Sequence, residues 1–212
     1  MESLGKFPDP FRVALTFDAE HGDRPRGRPE NASRILDALE AAGARATFFV
    51  QGRWALAYPE LARRIADDGH LVGNHSHFHS RMTLFSEDGL RADVAEAQEA
   101  VSRATGTDPR PWFRCPFGDG HDDPRVLGLL EELGYRNVFW RVMVEDWEPY
   151  RTGPALVHDA LDGIEAHGDG VILLLHTWPD GTADAVPEIL GGLRDRGASF
   201  VGVDELPAEL LP

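Results

Sequence analysis

Arg12-Val13-Ala14-Leu15-Thr16-Phe17 is an apolar run that ends on a carboxylate, Asp18. It reads as a buried strand, and an amphipathic stretch follows it. Glu30 to Ala42 carries Ile35, Leu36 and Leu39 at helical spacing, and Gly43 stops it. The same pair recurs down the chain. Ala46–Val50 is a second strand, followed by a helix opened by Pro59. Gly69 to Gly73 brings a third strand to the histidine-rich loop Asn74-His75-Ser76-His77-Phe78-His79-Ser80. Ser86 to Ala104 is a long helix with Ser86 as N-cap and Leu90, Val94, Ala97 and Val101 on one face. Trp112-Phe113-Arg114, Val138–Val142, Val171–Leu175 and Ser199–Val203 are further strands; helices are expected from Pro124, from Pro154 to His167 and from Pro187 to Arg196. Strands alternating with helices indicate an α/β fold with parallel strands, about seven of them. No linker, repeat or low-complexity tract interrupts residues 1–212, so a single domain is expected.

The totals narrow the function. A chain of 212 residues with 42% hydrophobic content can bury a sizeable core. No apolar run is long enough to cross a bilayer. Residues 1–8 lack the basic start and apolar block of a signal peptide, so a cytoplasmic protein is expected. A single cysteine, Cys115, leaves neither an internal disulfide nor a multi-cysteine zinc site. A net charge of −15 argues against nucleic acid and anionic membranes as partners, and more weakly against anionic wall polymers.

Ionisable residues collect at the strand ends, where parallel α/β folds bind their ligands. Asp18, the histidine loop, Arg114 and His176 each follow an apolar run, and Asp146-Trp147 lies just beyond another. His75 and His79 are four apart, a spacing that in a helical turn would put both imidazoles on one face, within reach of one ion. Imidazole suits zinc and similar divalent ions. Cys115 reads as packing, His77 as pointing away from its two neighbours, and Trp54, Trp112 and Trp140 as core or pocket wall. His21 and His121 are open between solvent and substrate.

Several stretches together resemble the polysaccharide deacetylase family, also called the NodB-homology or family-four carbohydrate esterases. They are Leu15-Thr16-Phe17-Asp18, Ala46 to Gly52, Gly73-Asn74-His75 with His79, Arg114-Cys115-Pro116-Phe117-Gly118, Asp146-Trp147 and Leu173-Leu174-Leu175-His176. They occur in the family's order over nearly the whole chain. The resemblance implies a distorted (β/α) barrel and a divalent metal, zinc first, with cobalt, nickel or manganese as alternatives. It implies hydrolysis of an N-acetyl group on an amino sugar or a related small soluble metabolite. Asp18 resembles the general base, Arg114 its partner, His176 the general acid and Asp146 the residue that fixes the tautomer of His176. His75 and His79 resemble two metal ligands. The backbone near Phe117 would stabilise an oxyanion, and Trp147 and Leu174 would wall a pocket for the acyl methyl.

The chain departs from the family at one point. The family usually places a second, metal-binding aspartate directly after the first, and here that position is Ala19. Glu20 is expected as third ligand, with Asp23 behind it. Some relatives that act on cyclic amides use an Asp-x-Asp spacing, so a cyclic amide or imide hydrolase is the alternative, and a non-catalytic carbohydrate-binding relative a further one. The loop from His21 to Pro29 is expected to close over one end of the site, with Arg24, Arg26 and Arg28 either meeting an anionic group or lying in solvent.

Overall fold

The computed structural model describes residues 6–20 and 28–211. Asp23, His21, Arg24 and Arg26, and with them the loop expected to close over the site, lie outside the described residues. The chain forms two compact units. Unit 1 comprises Met1–Phe17, Arg28–Thr47 and Trp140–Pro212; unit 2 comprises Asp18–Gly27 and Phe48–Phe139.

In unit 1 the strands β1 (Arg12–Ala19, whose last two residues belong to unit 2), β7 (Val171–His176), β6 (Val142–Met143) and β8 (Ser199–Phe200) lie in the order β8-β1-β7-β6. β1 with β8 and β6 with β7 pair parallel, in registers Arg12↔Ser199 and Val142↔Leu173. All six residues of β7 are buried, as are Val13 to Ala19 of β1. That is why both read as continuous apolar runs rather than alternating ones. The helices α1 (Pro29–Ala42), α6 (Gly153–His167) and α7 (Asp180–Arg196) complete the unit, with α7 packed on both of the others. Gly43 ends α1 in the left-handed conformation that its lack of a Cβ permits.

Unit 2 carries β2 (Thr47–Val50, its first residue in unit 1), β3 (Leu71–Asn74), β4 (Trp112–Phe113) and β5 (Arg136–Asn137) in sequential order. β3 with β4 and β4 with β5 are parallel. The helices α2 (Gly52–Ala57) and α3 (Pro59–Asp67) pack on α4 (Glu87–Thr105). Leu90 and Val94 of α4 join Phe113, Cys115, Tyr135 and the apolar face of α5 (Pro124–Glu132) in one core cluster. Ser86 caps α4 by accepting the Gly89 N–H, and Asp123 caps α5 in the same way.

The fold class read from the sequence is the one the chain has: parallel strands with intervening helices, β8 being a short addition beside β1. Three elements differ from expectation. Val138–Val142 is not one strand. Its hydrogen bonds divide, Val138 donating to Phe113 and Arg141 to Ile172, so two short strands, β5 and β6, flank it instead. α2 was not foreseen, because six residues are too few to show a helical period. α7 begins seven residues before Pro187, which lies inside the helix; buried Thr182, Ala183, Ala185 and Val186 outweigh the hydrogen bond that proline cannot make.

Candidate active site

Strand period places Asp18 and Glu20 on one side of the end of β1, with Ala19 on the other. Both carboxylates are buried, and the Gln51 N–H holds the strand end by donating to Ala19 O. Asp18 Oδ1 accepts from Arg114 Nη1 at 2.9 Å. Arg114 is fully buried, donates through Nε to Val138 O at 3.2 Å and lies 4.1 Å from the centre of the Phe49 ring. Burial pulls its pKa down and the adjacent Asp18 pushes it back up. An arginine buried this deeply requires a carboxylate partner, and Asp18 supplies it.

The histidine loop is not a helical turn. Ser76 and His79 have φ of 65° and 56°, so the loop doubles back through left-handed residues. Local hydrogen bonds hold it there: Asn74 Oδ1 accepts the Ser76 N–H, and Ser76 Oγ accepts the His79 N–H. The result still brings the His75 and His79 rings to 5.0 Å. Each left-handed non-glycine residue costs about 1–2 kcal/mol. The four such residues among those described are Ser76, His79, Phe117 and Glu145. All lie at or beside candidate site positions, which is where such strain collects.

Glu20, His75 and His79 each offer one ligand atom, and these atoms lie within 4.8 Å of one another. His75 Nδ1 is 2.9 Å from Arg114 O. A carbonyl only accepts, so Nδ1 carries the proton and Nε2 keeps its lone pair. That Nε2 is buried without a hydrogen bond and sits 3.5 Å from both Asp18 Oδ2 and Glu20 Oε2. His79 Nε2 is directly against Glu20 Oε2. Burial alone would lower the pKa of His75, but Asp18 and Glu20 beside it reverse the sign and raise it. A buried pocket of two imidazoles and carboxylate oxygens with this preference for positive charge fits a divalent cation. His77 takes no part; its ring lies against Phe78 and reaches Glu96 at 3.4 Å.

In unit 1, Asp146 and His176 form a second constellation. His176 Nδ1 is 2.7 Å from Asp146 Oδ1, and the His176 N–H donates to Asp146 Oδ2 at 2.7 Å. The carboxylate therefore fixes the Nδ1–H tautomer and leaves the lone pair on Nε2. Glu145, at φ 52°, makes the turn that delivers Asp146.

The model of a family described as polysaccharide deacetylase matches residues 6–138. This chain belongs to the polysaccharide deacetylase family. The peptidoglycan-N-acetylmuramic acid deacetylase PdaA of Bacillus subtilis is 32% identical to it over 200 residues, covering 93% of this chain and 72% of PdaA. A solved mutant of a CE4-family pseudoenzyme of Bacillus anthracis, one with restored enzymatic activity, is similar with a TM-score of 0.82 at 27% identity, covering 97% of this chain and 72% of that one. A family 4 carbohydrate esterase of Streptomyces lividans, solved with acetate, gives 0.78 at 29% identity over 90% of this chain and 92% of that one. The fold class implied by the resemblance, parallel strands with intervening helices, is thus the one this chain shares, and its enzyme class is the deacetylase class of its family.

The remaining positions of this deacetylase-family chain fall as follows. Phe117, at φ 59°, is 56% exposed; its ring meets His79 edge-on at 4.5 Å, and Arg81 lies over it. Trp147 meets the His176 ring edge-on at 5.4 Å, and Leu174 is buried in β7. Cys115 is buried in the core cluster, and desolvation lifts its thiol pKa to about 12, so it offers no thiolate. His121 stacks on Phe139 and lies 2.9 Å from Gly118 O through Nδ1. Arg28 is exposed, 3.7 Å from Asp180.

Sequence reading missed Thr182. Its hydroxyl donates to Asp146 Oδ2 at 2.6 Å from the first turn of α7, the turn not foreseen because the helix was expected to start at Pro187. Thr182→Val keeps the shape and removes one donor from a buried carboxylate. A stability loss of about 1–3 kcal/mol is expected, read as a lower midpoint in urea at unchanged slope.

Proposed function

We propose that the protein is a divalent-metal-dependent N-deacetylase acting on an N-acetylated amino sugar. The observation that carries this reading is the Glu20–His75–His79 cluster, with the tautomer of His75 fixed, directly beside the Asp18–Arg114 pair. Glu20, His75 and His79 would hold the ion, zinc by preference for this donor set. When bound, such an ion supplies Lewis acidity toward water and an amide carbonyl. Asp18, oriented by Arg114, takes the proton of the attacking water. His176, with Nδ1 tied to Asp146, gives a proton through Nε2 to the departing amine. The family resemblance gives the backbone at Phe117 the role of supporting the oxyanion, and Trp147 and Leu174 the role of contacting the acyl group. The names of relatives such as PdaA support an N-acetylated sugar of peptidoglycan as the substrate.

A second reading, favoured by the net charge of −15, is a small soluble acetylated metabolite met in the cytoplasm, since an acidic surface repels anionic polymer. Acetate release with zinc or cobalt present, measured on peptidoglycan, short N-acetylated oligomers, single N-acetyl amino sugars and cyclic amides, tests both. We expect turnover on an N-acetylated sugar. Turnover confined to cyclic amides would overturn the deacetylase reading, and preference for polymer over monomer would overturn the second one.

A further inference from the structure

We infer that Asp93, outside the ligand set, is a positioning residue that sets the metal affinity of the histidine loop; the inference rests on the metal site proposed above. Asp93 lies on α4 among Leu90, Val94 and Ala97, the helix's apolar face, and is 3% exposed. A carboxylate in such an apolar stripe loses its hydration, so its retention requires strong hydrogen bonds. It has them. Asp93 Oδ2 accepts the His77 N–H at 3.0 Å, and Asp93 Oδ1 accepts the Phe78 N–H at 3.1 Å. Both oxygens are thus spent on consecutive backbone groups of the short segment between the two histidine ligands.

The rest of that segment is fixed from its ends. Asn74 Nδ2 donates to Val94 O and lies 3.0 Å from the Tyr135 hydroxyl, while Asn74 Oδ1 accepts from Ser76. Ser76 and His79 hold left-handed φ angles, which the chain would relax if released. Asp93 ties the middle of the loop to α4. The distance between His75 and His79, and hence the geometry offered to an ion, depends on that tie. Close packing of the loop reinforces it: a Cβ built on Gly52 would come within 2.4 Å of His77 Nδ1, so the segment has no slack on that side.

Asp93→Asn is the direct test, because it is isosteric and turns one acceptor oxygen into a donor facing an N–H. Metal-stripped protein is titrated with Zn²⁺, and with Co²⁺ to read its visible spectrum. Outer-shell changes at metal sites typically cost about 10–100-fold in affinity, and a loss in that range is expected together with an altered cobalt spectrum. Leu90→Ala, on the same helix face, serves as control: it should lower the melting temperature and leave metal affinity unchanged. Should Asp93→Asn fail to fold, Asp93→Ser carries the same expectation. Wild-type affinity and spectrum in a folded Asp93 variant would overturn the inference while the metal site stands. A wild-type protein that binds neither ion would overturn the metal site and this inference with it.

Discussion

Asp18→Asn lowers turnover on the acetylated substrate by about a hundredfold to ten-thousandfold, the usual worth of a general base, and leaves the fold and the bound metal in place. The geometry sets both halves of that expectation. The amide keeps the shape of the side chain and one oxygen toward Arg114 Nη1, the contact that now measures 2.9 Å. What it loses is the capacity to accept a proton. Arg114 then lies buried beside a neutral partner, so some stability is lost as well. Single-turnover rates measured at metal saturation separate the two effects. A rate close to wild type would remove Asp18 from the base role.

His75→Ala abolishes stoichiometric metal binding. His75 is buried and held by Arg114 O in the tautomer that presents Nε2, and its neighbour His77 is turned toward Glu96. Loss of one of three protein ligands leaves a carboxylate and one imidazole, too few for a closed site. Elemental analysis of protein purified without chelator should fall from near one ion per chain to background. Full retention of metal would sink the ligand assignment, whatever the activity did. The raised pKa of His75 in the metal-free chain gives the same residue a second signature: proton and ion compete for Nε2.

The strands that carry site residues were legible because burial on both faces writes itself as unbroken apolar runs, and each run ends on the residue that matters. Val171 to His176 is the clearest case. The Asp-x-Glu spacing pointed to Glu20, and strand alternation is why the spacing suffices: residues two apart share a side. The His75–His79 spacing pointed to two neighbouring imidazoles for the wrong local reason. Four residues apart suggests a helix, but here a loop with two left-handed residues makes the approach, and a period cannot show positive φ angles. Asp93 shows in the sequence only as a charge inside the apolar stripe formed by Leu90, Val94 and Ala97. Thr182 left no trace, since its partner Asp146 is 36 residues away and nothing local marks the pairing.

The candidate ligand atoms and the Asp18–Arg114 pair all belong to unit 2, whereas Asp146, Thr182 and His176 all belong to unit 1. Each group is held by hydrogen bonds within its own unit. His176 is not among the three candidate ligands, so on the proposed roles metal content does not report on it. On the proposed roles, a single substitution at His176 is expected to give a protein that purifies with its ion and turns over about a hundredfold to ten-thousandfold more slowly. An assay that counts ions would pass it as intact. On that reading occupancy and competence are separate traits, and drift could erase the second while selection for binding preserved the first.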